Sequence, residues 1–335
     1  MYTSIVVPLD GSAFGKRALP VALALARRSD AAVHLVHVHE PIVYPGGGPM
    51  YDTRLHDELR HEMHSDLTAV AEQLGRETSL HVSAEFLDGP VIPTLQRYLA
   101  HSRHDLVVMM THGRGGLTRV WLGSVADALV RHAPMPLLLV RPGAEWPEDL
   151  LEPLFCRVLI PLDGSAMADD VLDHAISLAT PDATVYTLLT VVVPLPLLSH
   201  SSPNFDAVAE SSGVAHQRDV AQAHLTGMAA ELRESGALVE TRVVMHQRPA
   251  QGILDAADEE HADSIALSTH GRGSMSRLLL GSVADKVVRG ATVPVLIYRP
   301  DRAHVEATDH ASVGAAIATS AAFVSPPSLG GARVF

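Results

Sequence analysis

Two stretches of this chain combine residue types that can hold an anion, and each is a copy of the other. The first runs from Thr111 to Asp127 and the second from Thr269 to Asp285. In the first, Gly113, Gly115 and Gly116 let the backbone turn sharply and approach a ligand closely. Gly123 and Ser124 then stand where a helix begins. Unpaired N–H groups and the positive end of the helix dipole meet at such a place, the usual physical basis of phosphate binding. Between 111–142 and 269–300, 19 of 32 aligned residues are identical, so the chain carries two copies of one unit. His112, Arg114 and Arg119, with His270, Arg272 and Arg277, are the nearby cations. The serines Ser124 and Ser282 read as phosphate-contacting hydroxyls, because the Gly-x-Ser-x-Gly pattern of an activated nucleophile is absent. A Gly-x4-Gly-Lys-[Ser/Thr] pattern is also absent, which argues against a P-loop nucleotidase.

The elements around these stretches alternate. Ser4–Pro8 reads as a buried strand, followed by Asp10, Gly11 and Ser12, with Ser12 as the expected N-cap of a helix reaching Arg28. Pro20 is expected to kink that helix or shift its start. Ala32–Val38 is the next strand, 40–51 a loop broken by prolines and glycines, and Arg54–Gly75 a polar helix. Strand His81–Leu87, a helix from Gly89 and Pro90 to His101, and strands Leu106–Met110 and Pro136–Val140 complete the copy. The second copy repeats this order: Val158–Ser165 matches Ile5–Ser12 almost letter for letter, and 194–214 is expected to be irregular. Strands alternating with helices imply right-handed crossovers and a parallel sheet with helices on both faces. If the strand order is 3-2-1-4-5, the first and fourth strands are neighbours at the point where the order reverses. Asp10 then meets the 110–125 loop there. An aspartate in that place can accept a ribose hydroxyl or simply cap the turn, and its recurrence as Asp163 favours a site.

Composition narrows the partners. A formal charge of −13 over 335 residues argues against a nucleic-acid surface. The single cysteine, Cys156, excludes an intrachain disulfide and suits a reducing cytoplasm. No secretory signal is expected, and the most apolar run, 185–198, is too short and too broken by Pro194 and Pro196 to span a bilayer. The histidines His56, His61 and His64 lie near Asp57 and Glu62, but without a His-Glu-x-x-His pattern they read as a solvated helix face rather than a metal site.

Taken together, these motifs resemble the universal stress protein family. Its nucleotide-binding pattern is G-x2-G-x9-G-[ST], and Gly113 with Gly123–Ser124, and Gly271 with Gly281–Ser282, fit the latter part of it. Met110 and Ser268 stand where the pattern's first glycine belongs, a side chain that would crowd the phosphates or point away. The resemblance implies α/β architecture: two tandem Rossmann-like domains, each a five-stranded parallel sheet. The domains are expected at 1–142 and 157–300, with a linker at 143–156 and a disordered tail at 301–335. It implies an adenine nucleotide as ligand, ATP with or without magnesium. In the first copy the implied contacts are Pro8, Leu9, Asp10, Val38, Met110, His112, Gly113, Arg114, Gly123, Ser124 and Val125. In the second they are Pro161, Leu162, Asp163, Val191, Ser268, His270, Gly271, Arg272, Gly281, Ser282 and Val283. The implied role is regulatory and cytoplasmic, with no catalytic residue, no nucleic acid and no membrane as partner. A nucleotide-free interaction protein and a slow ATP hydrolase are the alternatives. The second copy is expected to bind at least as well as the first, since Ser268 is small. Aspartate at Gly123 and Gly281 is expected to abolish binding and spare the fold. The fifth strands, 136–140 and 293–298, are expected to pair antiparallel and make an intramolecular pseudo-dimer, leaving other surfaces for any homodimer. Proline at Leu138 or Leu296 would then part the copies without unfolding either.

Overall fold

The computed structural model describes residues 1–41, 53–111, 122–141, 155–165, 169–179, 183–194, 207–269 and 280–299. In the first copy the elements are β1 (Ser4–Pro8), α1 (Leu19–Ser29), β2 (Ala32–His39), α2 (Thr53–Thr78), β3 (Val82–Asp88), α3 (Val91–His101), β4 (Leu106–Met110), α4 (Ser124–His132) and β5 (Leu137–Val140). The second has β6 (Arg157–Pro161), α5 (Val171–Leu178), β7 (Val185–Val192), α6 (Ala207–Glu234), β8 (Leu238–Met245), α7 (Pro249–Glu259), β9 (Ser264–Ser268), α8 (Ser282–Gly290) and β10 (Val295–Tyr298).

All ten strands form one sheet, in the order β3-β2-β1-β4-β5-β10-β9-β6-β7-β8. Each half has the 3-2-1-4-5 order, with parallel neighbours throughout. The central strands read as continuous apolar runs because both faces are covered. Helices α1, α2, α5 and α6 bury one face. Helices α3, α4, α7 and α8 bury the other.

Two details differ from expectation, and one stated alternative is decided. A short 3-10 turn at Gly15–Ala18 precedes α1, which starts at Leu19 with Pro20 in its first turn, so the proline shifts the start of the helix instead of kinking it. Ser12 does not cap α1: its hydroxyl accepts the Gly15 N–H at 3.0 Å and donates to Asp10 Oδ1 at 2.6 Å. Helix α6 begins at Ala207, inside the stretch expected to be irregular, because 207–234 carries no proline to stop it. The calls for a loop at 42–51, the linker at 143–154 and the tail at 301–335 lie outside the described residues.

The two copies meet where β5 and β10 pair antiparallel, with Leu138 opposite Leu296 and both fully buried. Further contacts line this seam, and those of Tyr2, Arg28 and Arg289 join the two copies. Tyr2 Oη donates to the His174 carbonyl at 3.1 Å, and Arg28 donates to the Ser177 carbonyl at 2.7 Å. The His174 ring lies 4.1 Å from that of Tyr298. On the other face, Asp127 takes Arg131 one turn along α4 at 2.9 Å and Arg289 of α8 at 3.3 Å. The Arg131 hydrogen bond, outweighing partial burial and helped by Arg289, holds the Asp127 carboxyl below the usual carboxylate range. The twofold relation is imperfect. Arg299 donates to the Arg131 carbonyl, whereas Nε and Nη2 of Arg141 find no partner among the described residues and burial pushes that guanidinium down to about 10.

Because β5 is flanked by β4 as well as β10, proline at Leu138 would break the first copy's own sheet too. It is therefore not the clean separator expected from sequence. Truncation tests the seam better. Leu138→Ala should cost about 2–5 kcal/mol in urea unfolding, as buried leucine truncations do. Arg289→Ala should cost about 1 kcal/mol near neutral pH. Asp127's share of stability is complete above the ordinary carboxylate value and is lost as pH falls through its lowered one. The Arg289→Ala penalty should accordingly shrink as pH falls below the ordinary carboxylate value of about 3.9. An undiminished penalty in acid would remove the ion pair from the explanation.

Candidate functional site

The C-terminal ends of β1 and β4 lie side by side, since Ile5 pairs with Leu106 and Val6 with Val107. The chain leaves β1 through Pro8 and the buried Leu9, whose N–H donates to the Val36 carbonyl at 2.8 Å. Asp10 then closes a tight turn, its Oδ1 accepting the Ser12 N–H at 3.0 Å. Gly11 sits at φ 78°, a left-handed conformation that favours glycine. The second copy repeats the turn. Leu162 N–H reaches the Leu189 carbonyl at 2.7 Å, Asp163 Oδ1 accepts the Ser165 N–H at 3.0 Å, and Gly164 has φ 76°. The turn-capping role of both aspartates is thus in place, and it leaves their carboxylates at the strand ends.

The glycine-rich stretch is clamped at its two ends. Gly123 N–H donates to the Thr111 carbonyl at 2.8 Å, and Gly281 N–H to the Thr269 carbonyl at 3.0 Å. The chain therefore returns beside the end of β4, or of β9, before it enters α4 or α8. Both helices are nine residues long with glycine at the N-cap, and Ser124 and Ser282 are exposed in the first turn. Val125 and Val283 are partly buried against the core. His112, Gly113, Arg114, His270, Gly271 and Arg272 lie outside the described residues. Glycine at 281 is required by space rather than by dihedral angle. Its φ is −56°, but a Cβ would come within 2.9 Å of the Thr269 carbonyl oxygen. The expected aspartate test is overturned on this ground, because at Gly281 it would strain the clamp itself.

Met110 is buried and belongs to the core on the α1 side of the sheet, so its bulk points away from the strand end. By strand alternation Ser268 faces the same side. Its hydroxyl is buried and has no partner among the described residues. The difference is compensated one strand away. Met110 pairs with Val140 and Ser268 with Tyr298, so the large side chain has moved to the neighbouring strand. Val38 and Val191 occupy matching positions near the ends of β2 and β7, both packed on the α3 and α7 side. The preceding residues differ: the Leu9 carbonyl takes His37 Nδ1 at 2.8 Å, whereas the Leu162 carbonyl takes the Thr190 hydroxyl at 3.0 Å.

Sequence reading missed one group near the second turn. Asp169 and His224 approach to 3.7 Å between α5 and α6, and burial raises the Asp169 carboxyl although His224 opposes the shift. The corresponding position after Asp10 is Lys16, so the charge there is inverted. Only the repeat alignment of Lys16 with Asp169 could have flagged it. Of the histidines on α2, His61 is exposed and His64 packs edge-on against Phe86 at 5.3 Å. Among the described residues no three His, Cys, Asp or Glu side chains converge as metal ligands, and no helix is long and apolar enough to cross a membrane.

Comparison with known proteins agrees with this geometry. The profile of the universal stress protein family matches twice, over residues 1–141 and 155–299. A universal stress protein of Mycolicibacterium smegmatis is 30% identical over 301 residues, covering 88% of this chain and 97% of its own. One from Mycobacterium tuberculosis is 27% identical over 310 residues, covering 88% and 96%. Among solved structures, a universal stress protein from Archaeoglobus fulgidus superposes with a TM-score of 0.61 at 18% identity, covering 88% of this chain and 98% of that one, a likeness of fold.

The clamp yields a test that needs no ligand. Gly281→Ala should destabilise the protein by about 1–3 kcal/mol, since the added methyl forces either the helix start or Thr269 to move. Urea unfolding at equilibrium would measure it, and a neutral substitution would mean that the close approach is relaxed in solution.

Proposed function

The chain is a tandem member of the universal stress protein family, and from that premise we propose that it binds ATP or a closely related adenine nucleotide in a regulatory role. The observation that carries the reading is the meeting, twice in one chain, of an aspartate turn at the end of the first strand with a glycine-capped helix start clamped to the end of the fourth. The helix start offers N–H donors and a positive dipole end to phosphates. The aspartate turn lies where a ribose would follow, at the point of strand-order reversal. Val38 and Val191 would line the base. Magnesium, if it accompanies the nucleotide, would be carried by the phosphates. In this reading the nucleotide acts by occupancy rather than by turnover. The single cysteine suits a cytoplasmic setting.

Because Met110 and Ser268 both face the core, neither copy is closed to a ligand by the residue that departs from the family pattern. The expected preference for the second copy, argued from the small size of Ser268, then loses its support, since that side chain faces the core.

A carboxylate can be placed at the helix start without touching the clamp. Ser124→Glu and Ser282→Glu put negative charge at exposed first-turn positions, where it favours the helix but repels phosphate. Calorimetric titration with ATP should show each variant losing about tenfold or more in affinity at its own copy, roughly 1.4 kcal/mol, with unchanged thermal stability. The double variant should lose binding at both. Unaltered affinity in a folded double variant, or purified protein that neither carries nor takes up a nucleotide, would return the chain to the reading of a nucleotide-free interaction protein.

A further inference from the structure

The corner where the N-terminal ends of β1 and β2 meet the turn between α3 and β4 is built from different chemistry in the two copies. In the first copy it is held by histidines. Ser4 Oγ and His104 Nδ1 are 2.7 Å apart, and His104 Nε2 lies 3.0 Å from the Tyr98 hydroxyl. His34 Nδ1 meets the Ser83 hydroxyl at 2.9 Å. The two imidazole rings are 4.5 Å apart, tilted by 53°. Five segments are joined there: β1, β2, β3, α3 and the turn before β4.

Strand registers identify the counterparts in the second copy. Thr187 stands for His34, Ala262 for His104, Arg157 for Ser4 and Arg242 for Glu85. The corner there is closed by permanent charges. Arg157 Nε donates to the Glu260 carbonyl at 2.6 Å, its guanidinium reaches the Glu260 carboxylate at 3.4 Å, and Arg242 pairs with both Glu259 and Glu260. What the copies share is the aspartate beneath. Asp105 accepts the Thr3 and Ser4 N–H groups at 2.7 and 2.9 Å, and Asp263 accepts those of Cys156 and Arg157 at 2.6 and 3.0 Å.

We propose that the first copy's corner is a proton-operated clasp: mild acid puts charge on the paired imidazoles of His34 and His104 and loosens the lower edge of that copy, while the ion-paired corner of the second stays closed. Two imidazolium rings at this separation, half-buried, repel with little water between them. The groups that face them do not cancel this. His34 sees His81 at the start of β3 as a like charge, with Glu85 of β3 opposing. His104 sees His34, with Asp105 opposing, and Tyr98 is neutral. Burial is the largest influence on both rings, the next being His81 for His34 and His34 for His104, and these hold each ring below its ordinary value.

The sign follows. Between the unfolded value of about 6.5 and the lowered folded values, the unfolded chain binds more protons, so the corner's stability is full above about pH 6.5 and is lost as pH falls toward those values. Thr187 and Ala262 stand where the first corner has its two imidazoles, so the second corner has no histidine pair to charge in that window. The clasp is independent of any nucleotide.

Proton titration of the histidine ring signals of the full chain by NMR tests it, with amide exchange, corrected for its intrinsic pH dependence, followed alongside. Both His34 and His104 should titrate below about 6.5. Opening of β1, β2 and α3 should rise from about pH 7 to about pH 5.5, roughly threefold for each half unit by which a midpoint is lowered. The β6, β7 and α7 amides should not follow. His34→Thr and His104→Ala, which install the second copy's residues, should abolish the excess opening. If the His104 variant does not fold, the wild-type titration still decides. Ring midpoints at or above about 6.5, or equal acid-induced opening in both copies, would overturn the proposal.

Discussion

Everything in this protein hangs on three pairs of residues at the centre of its sheet: Leu137 with Ile297, Leu138 with Leu296, and Leu139 with Val295. Each copy of the repeat ends in an apolar strand that would otherwise be a bare edge, and bare edges recruit other chains. Pairing the two edges antiparallel removes both liabilities at once and merges two five-stranded sheets into one of ten strands. It also fuses the cores, since the layers on both faces run without interruption from one copy into the other. The remaining edges, β3 and β8, are pushed to the far ends. Because the join is antiparallel, the two candidate sites open at opposite ends of the strands, each beside the other copy's lower rim. Tyr2, near the start of the first copy, consequently touches His174 on α5 of the second.

The candidate site depends on the same economy of backbone. Among the described residues no side chain caps the start of α4 or α8. Two main-chain hydrogen bonds, Gly123 to Thr111 and Gly281 to Thr269, fix it instead, and their closeness excludes any Cβ at 281. The motif's final glycine is therefore explained by packing before any ligand is considered. An N–H-rich helix start is a by-product of that packing, and a ligand that binds there uses groups the fold has already positioned.

Much of this was legible in the residues. The apolar runs at Ser4–Pro8, Leu106–Met110 and Ser264–Ser268 are strands within the stated limits, because buried central strands carry a pattern that local context cannot mimic. The strand order entered as a condition and belongs to the fold the resemblance implied, whereas the β5–β10 pairing was expected from two apolar edges that needed covering. What could not be read was set by contacts distant in sequence. Ser4 and His104 are a hundred residues apart, and only the parallel register brings them together. The start of α1 was misplaced because Ser12 looked like a helix cap, whereas its hydroxyl is engaged by Asp10 and Gly15. The length of α6 was underestimated because its first residues, 207–214, lack an apolar stripe, so periodicity gave no sign of a helix there.

The exchange of bulk between neighbouring strands has a consequence for how the copies can diverge. Methionine beside valine in one half, and serine beside tyrosine in the other, fill comparable space only as pairs. Replacing Met110 by the serine of its twin while Val140 stays would open a void, and placing methionine at 268 against Tyr298 would crowd it. Genetic exchange between the two halves is thereby filtered. A tract that converts the fourth strand without the fifth meets a packing penalty, while a longer tract carrying both does not. Here the two halves would have to change by pairs of positions, whereas elsewhere they could diverge one residue at a time.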